Sequence, residues 1–413
     1  MTDTATPFSR PVYVMLKPAG ATCNLACDYC YYLEKSKLYN TGTRHCMSDT
    51  LLETFVRDYI AMQSSPAVLF TWHGGEPMLR PIHFYERALE LQRKYANGKQ
   101  IDNAFQTNGT LITDEWARFF RRNNFLVGVS IDGPEEVHDE YRRSRGGRGS
   151  WQQVMRGIRI LNRHGVEWNA MAVVNDYNVE DPLAFYHFFK EIGCHFVQFT
   201  PIVERYYRHP DGRLLAAPTD GALAELAPFS VTPEAWGDFL CTVYDEWVRH
   251  DVGDYFIQLF DATLAGWMGV QPSVCTLAKT CGHAAVMEYN GDVYACDHYV
   301  FPEFKLGNVN TTPLAQLMAR DELYRFGQNK KRLLTRQCRE CAYLMACHGE
   351  CPKNRFALSD SGEAGQNYLC KGYYRFFSHV APDMDFMKYQ LQHDGPPAAV
   401  MDWIAQGRPP YRR

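Results

Sequence analysis

The chain has 413 residues, 46% of them hydrophobic and 14% aromatic, enough for two or three packed domains. A formal charge of -4, with residues 141–148 as the one basic cluster, argues against nucleic acid as a partner. No run approaches the roughly 20 apolar residues that span a bilayer, and the first ten residues lack the pattern of a secretory signal. A soluble cytoplasmic protein with no membrane partner is expected.

From residue 12 to 203, short β-rich runs alternate with amphipathic helical stretches, the pattern of a parallel α/β domain. The pattern predicts strands over 12–17, 67–73, 103–107, 126–132, 168–175 and 195–203. Helices are predicted between them over 49–62, 82–95, 114–122, 151–163 and 182–192. Ser48 and Thr113 stand as helix caps, and Asp114 and Glu115 follow Thr113 where acids suit a helix N-terminus. Each unusual cluster falls at the C-terminal end of a strand. The first strand leads into Cys23, Cys27 and Cys30, the second into Gly74-Gly-Glu-Pro77 and the third into Asn108-Gly109, while the fourth carries Ser130 and Asp132. In a parallel β/α barrel or open sheet, that edge is where ligands bind.

Residues 204–236 read as a connector, with turn signals at Pro210-Asp-Gly212 and Pro218-Thr-Asp-Gly221. A helix is predicted over 233–250, then a hairpin over 286–296 turning at Asn290-Gly291. The tail over 373–392 reads as a helix, and Pro396-Pro397 with Pro409-Pro410 marks loose ends.

The 14 cysteines divide into a triad, a group of eight and three singles. Cys23, Cys27 and Cys30 grip one centre and leave a coordination position open, as a site that must bind substrate or cofactor does. Spacing alone leaves zinc and iron–sulfur both open. The eight are Cys275, Cys281, Cys296, Cys338, Cys341, Cys347, Cys351 and Cys370, a number that closes two four-ligand sites. In a reducing cytoplasm, metal ligation explains them better than disulfides. Cys46, Cys194 and Cys241 read as small buried apolar residues.

The triad with Tyr29 inside it, the Gly-Gly-Glu-Pro loop and the six β/α units resemble the radical S-adenosylmethionine superfamily. The resemblance implies a partial (β/α)6 barrel in which three cysteines hold a [4Fe-4S] cluster whose fourth iron binds S-adenosylmethionine. Its reductive cleavage would yield a 5'-deoxyadenosyl radical that abstracts a hydrogen atom. Tyr29, Gly74, Gly75, Glu76, Ser130, Arg142 and Val203 are the cofactor contacts it implies, with Glu76 set to meet the ammonium group and Arg142 the carboxylate. The later cysteines, Cys-x5-Cys-x14-Cys then Cys-x2-Cys-x5-Cys-x3-Cys then x18-Cys, resemble the twin-cluster SPASM extension. By that resemblance Cys275, Cys281, Cys296 and Cys351 hold one auxiliary [4Fe-4S] cluster, and Cys338, Cys341, Cys347 and Cys370 the other, three clusters in all.

Within this group the chain is most similar to anaerobic sulfatase-maturating enzymes. The stretches that carry the likeness are 17–27, 106–111, 127–134 and 292–297. Such enzymes oxidise a Cys or Ser in a Cys/Ser-x-Pro-x-Arg segment of a sulfatase polypeptide to Cα-formylglycine, with flavodoxin or ferredoxin as the expected electron donor. Asp297, next to Cys296, matches the position of the family's proposed base. The domains implied are the barrel over 11–235, a helical connector over 236–272, a small α+β SPASM domain over 273–372 and a C-terminal helix and tail over 373–413. A monomer is expected, since no amphipathic stretch is left unassigned. The rival readings are a radical maturase that crosslinks a ribosomal peptide, which shares every metal ligand, and a zinc-bearing scaffold, which leaves the open triad unexplained. Such maturases often carry an N-terminal peptide-recognition domain, whereas about ten residues precede the first strand here, which favours the sulfatase reading over the maturase.

Overall fold

The computed structural model describes residues 8, 11–33, 35, 45–208, 214–216 and 224–411. It divides into two compact units: Met1–Ser130 with His138–Trp168 and Cys281–Gln328, and Ile131–Val137 with Asn169–Thr280 and Asn329–Arg413.

In the first unit β1 (Tyr13–Lys17), α1 (Asp49–Met62), β2 (Ala67–Trp72), α2 (Ile82–Tyr95), β3 (Gln100–Thr107), α3 (Asp114–Arg122) and β4 (Phe125–Ser130) alternate. The strands pair in parallel in the order β1-β2-β3-β4. Helix limits follow local chemistry: Ser48 accepts from Leu51 N–H at the start of α1, and Thr113 from Trp116 N–H at the start of α3. Apolar faces of β2, β3, α2 and α3 meet in an aromatic core of Phe70, Trp72, Tyr85, Phe105, Trp116 and Phe120. Aromatic pairs of this kind add about 0.5–1.5 kcal/mol each beyond area burial. Two further helices, α4 (Glu135–Tyr141) and α5 (Trp151–His164), follow β4.

Compactness departs from chain order at one strand. Ala284–Glu288, far along the sequence, pairs in parallel with β1 over five residues, from Tyr13 opposite Ala284 to Lys17 opposite Glu288. The hairpin then turns back antiparallel through Asp292–Tyr294, and Lys305–Asn308 pairs onto that strand. The seam is dry: Val14, Leu16, Val286 and Met287 are all fully or almost fully buried.

In the second unit β5 (Trp168–Val174), α6 (Pro182–Glu191) and β6 (Phe196–Pro201) complete six parallel β/α repeats, with β5 and β6 paired in parallel. α7 (Pro233–His250), α8 (Gln258–Trp267) and the helix Cys370–Gln392 pack together through Tyr244, Phe260 and Phe376. Among the described residues, no helix is long and apolar enough to cross a membrane.

Several sequence expectations need correction. The supposed connector contains an antiparallel trio, Arg205–Arg208 paired with Leu214–Ala216 and Glu225–Leu226. Its expected turns at 210–212 and 218–221 lie outside the described residues. The tail is not loose throughout, because Ala399–Ala405 is helical and Trp403 stacks on Phe386 at 4.4 Å. Cys194 and Cys241 are buried as expected, but Cys46 is half-buried.

Met287 is fully buried opposite Leu16 in the seam with β1. Met287→Ala should therefore destabilise the protein by about 2–5 kcal/mol in anaerobic chemical denaturation. A loss below about 0.5 kcal/mol would contradict the packing described.

Candidate active site

The loop that leaves β1 carries Cys23, Cys27 and Cys30, and it is pinned on both flanks. On one side Gly75 N–H donates to Gly20 C=O at 2.8 Å and Glu76 N–H to Thr22 C=O at 2.9 Å. On the other, Ala26 N–H donates to Arg143 C=O at 2.8 Å and Asp28 N–H to Tyr141 C=O at 3.0 Å. The two glycines permit the first contact. Gly74 has φ +130, and a Cβ on Gly75 would lie 2.2 Å from the Thr22 carbonyl oxygen.

Glu76, fully buried, works inward. Its carboxylate accepts from Asn108 N–H at 2.8 Å, Met78 N–H at 2.9 Å and the Thr107 hydroxyl at 2.9 Å, and burial pushes its pKa up to about 7. It thereby ties the end of β3 to the glycine loop. Asn108, which the sequence reading did not single out as a ligand contact, places its side-chain amide 3.6 Å from Cys23 Sγ and donates to Asn24 at 2.9 Å. The signals for it were its place at a strand end and within the family-like stretch 106–111.

The remaining sequence-nominated cofactor residues fall in two places. Tyr29 is buried and lies beneath the Arg142 guanidinium, 5.5 Å from ring centre to carbon. Ser130, at the end of β4, accepts from Gln106 Nε2 at 3.1 Å. These residues belong to the first unit, as does Asp297. Val203 belongs to the second, where it is buried and its carbonyl accepts from Lys353 Nζ at 2.8 Å.

Asp297 opens the turn Asp297–Tyr299 that follows the hairpin. Its side chain is 17% exposed and meets a cluster that sequence reasoning missed. Lys17 Nζ lies 2.6 Å from Oδ1, and the Tyr31 hydroxyl donates to Oδ2. Burial alone would raise the pKa of this carboxyl group, but the Lys17 ammonium holds it below the usual carboxylate range. Tyr32 donates to Glu288, whose pKa burial pushes up to about 7.

None of the 14 cysteines is joined in a disulfide. Burial raises Cys23 to about 11 and Cys30 upward as well, so these groups are poor free thiolates that a soft metal centre would suit. Among the described residues, no three His, Cys, Asp or Glu side chains converge as for a single ion. A cluster spreads its ligands over several irons and does not require that convergence.

In the second unit, Cys338, Cys341, Cys347 and Cys370 line one cavity of about 320 Å³ walled by Tyr343, Tyr373 and Phe377. Burial raises Cys347 to about 12 and Cys370 to about 11. Cys347 ends a helical turn, and the next three residues, His348, Gly349 and Glu350, all take left-handed φ. Cys351, four positions after Cys347, is not among the residues that line this cavity. Cys275 and Cys351 belong to the second unit, Cys281 and Cys296 to the first.

A cysteine triad beside a strand-end glycine loop, and a separate cysteine-lined cavity, are the features expected of an iron–sulfur radical enzyme. In agreement, the sequence model of the radical SAM superfamily matches residues 18–189, and that of an iron–sulfur cluster-binding SPASM domain matches 279–342. The chain is 61% identical over 404 residues to the serine-type anaerobic sulfatase-maturating enzyme of Bacteroides thetaiotaomicron, covering 98% of each chain. It is 32% identical to the cysteine-type enzyme of Clostridium perfringens, over 90% of this chain and 97% of that one. A solved structure of native anSMEcpe with bound AdoMet and Cp18Cys peptide superposes with a TM-score of 0.79 at 30% identity, covering 92% of this chain and 99% of that one. The chain belongs to the anaerobic sulfatase-maturating enzymes of the radical SAM superfamily. The fold expected from sequence, a partial β/α barrel with a cysteine-rich SPASM region, agrees with these relatives.

Gly75→Ala should force the glycine loop off the Thr22 carbonyl, since the contact is with backbone that cannot rotate away. The expected result is a loss of about 1–3 kcal/mol in stability, with iron lost from the triad in anaerobically purified protein. Full iron content at unchanged stability would contradict the buttressing role.

Proposed function

We propose that this enzyme oxidises the seryl residue of a Ser-x-Pro-x-Arg segment in an unfolded sulfatase chain to Cα-formylglycine. The observation that carries the choice of serine is the far greater likeness to the serine-type relative than to the cysteine-type one. Cys23, Cys27 and Cys30 would hold the first [4Fe-4S] cluster. Cys275, Cys281, Cys296 and Cys351 would hold the second, and Cys338, Cys341, Cys347 and Cys370 the third. The cavity shared by the last four, which Cys351 does not line, supports this division.

When bound, S-adenosylmethionine and the first cluster supply hydrogen-atom abstraction, and the auxiliary clusters supply an acceptor for an electron. Taking an alcohol to an aldehyde removes two electrons and two protons. Loss of a hydrogen atom from the β-carbon accounts for one of each, which leaves one proton on the hydroxyl for the protein to take. Asp297 is assigned that role by its match to the family's proposed base and by a side chain that keeps some exposure; the Lys17 ammonium that holds it ionised also weakens it as a base. Tyr29, Gly74, Gly75, Glu76, Ser130, Arg142 and Val203 form the binding site for S-adenosylmethionine in this reading. Arg142 supplies a cation for the carboxylate, and the glycine loop supplies close backbone approach. A low-potential donor such as flavodoxin or ferredoxin would reduce the clusters of a cytoplasmic, monomeric enzyme.

Anaerobic incubation with reductant, S-adenosylmethionine and paired Ser-x-Pro-x-Arg and Cys-x-Pro-x-Arg peptides, read by mass spectrometry, tests the proposal. The serine peptide should be converted to the aldehyde alongside equimolar 5'-deoxyadenosine. Conversion of the cysteine peptide alone would overturn the serine assignment. Asp297→Asn should slow aldehyde formation by about 10²–10⁴-fold, the range for a positioned base; wild-type turnover would remove Asp297 from that role. Replacing Cys23, Cys27 and Cys30 together by Ala should lower iron and sulfide by the content of one cluster and abolish 5'-deoxyadenosine formation.

A further inference from the structure

β1 ends on Lys17, whose side chain is 0% exposed. An ammonium group without water is costly unless its charge and donors are matched. Three neighbours match this one. Asp297 Oδ1 lies at 2.6 Å, His73 Nδ1 at 3.1 Å, and the Tyr32 ring centre at 4.2 Å.

His73 is itself fixed, because Gly74 N–H donates to the same Nδ1 at 2.7 Å. Two donors on one ring nitrogen require it to be unprotonated, so the hydrogen-bond pattern assigns the proton to Nε2. A continuous chain of contacts therefore runs from the Gly74 backbone through His73 and Lys17 to one oxygen of Asp297. The Tyr31 hydroxyl grips the other oxygen. Both rotatable bonds of the carboxylate side chain are thus constrained from opposite ends.

We propose that Lys17 is a positioning residue for the Asp297 carboxylate, oriented in turn by His73, and that this tether sets the base against the glycine loop beside the cysteine triad. The inference rests on the reading of Asp297 as the base. Without the ammonium group, Asp297 keeps the Tyr31 contact at Oδ2 and loses its ion-pair partner at Oδ1, so its orientation is less constrained. A displacement of roughly 1 Å is enough to cost about 100-fold in a reaction that depends on alignment.

The test compares Lys17→Met, which keeps the stem and removes the charge, with Asp297→Asn, His73→Phe and His73→Asn, all as anaerobically reconstituted holoenzymes. The readouts are iron content, 5'-deoxyadenosine, peptide aldehyde, and kcat separately from KM for a Ser-x-Pro-x-Arg peptide. Lys17→Met should retain its iron and still form 5'-deoxyadenosine, while its kcat for aldehyde falls about 100-fold with little change in KM. His73→Phe should behave similarly, and His73→Asn, which keeps an acceptor, should recover part of the loss. If Asp297→Asn uncouples the two products and Lys17→Met does not, the positioning role is wrong and the base survives. If neither uncouples them, the base fails and the positioning role with it. Parallel loss of iron, 5'-deoxyadenosine and aldehyde in Lys17→Met and His73→Phe would reduce Lys17 to a structural residue and overturn the proposal.

Discussion

The parallel pairing of Tyr13–Lys17 with Ala284–Glu288 is the contact on which the candidate site depends. β1 delivers the cysteine triad at its C-terminal end, and the hairpin begun by its partner strand delivers Asp297. Because the strands are parallel and in register, Lys17 and Glu288 stand side by side at that end. A shift of one residue would turn the Glu288 side chain to the face opposite Lys17. The fully buried residues Leu16, Val286 and Met287 hold the register by their hydrophobicity. Charged groups at the strand end are thereby placed by apolar ones a few residues away.

That arrangement concentrates cost as well as function. Lys17, His73, Glu288 and Asp297 are ionisable groups gathered where water is scarce, and each unpaired charge there would be penalised. The structure meets the cost by pairing: Lys17 with Asp297, His73 kept neutral by burial and by the neighbouring ammonium, and Tyr32 donating to Glu288. A polar network satisfied in this way is rigid, and rigidity is what a base needs to meet a substrate hydroxyl in one orientation. The glycine loop serves the same end for the triad, since Gly75 and Glu76 both donate to backbone carbonyls just ahead of Cys23.

Much of this was legible in the residues, where the governing physics is local. Helices α1, α2, α3 and α7 begin and end where caps and periodicity place them, because Ser48, Thr113 and Pro233 act within one turn. Cysteine spacing is equally local, and it sets the triad and the group of eight apart as candidate metal ligands. The pairing of 284–288 with β1 is not local; it joins segments more than 260 residues apart, and no periodicity announces it. For that reason Lys17 read as the end of a strand and the first residue of a family-like stretch, and His73 as a residue before a glycine turn, neither with a role beside Asp297. Asn108 escaped for a related reason, since its contact with Cys23 spans two strand-end loops. The short strands within 204–236 are too brief for alternation to show.

The account turns on a single geometric claim, that the carboxylate of Asp297 receives the proton of the substrate hydroxyl. An anaerobic crystal structure of the holoenzyme with S-adenosylmethionine and a Ser-x-Pro-x-Arg peptide tests it most directly. The account predicts the seryl hydroxyl within hydrogen-bond distance of Asp297, the carboxylate still held by Lys17, and the seryl β-carbon facing the cofactor. A seryl hydroxyl bound to another group, with Asp297 turned away from the peptide, would contradict it.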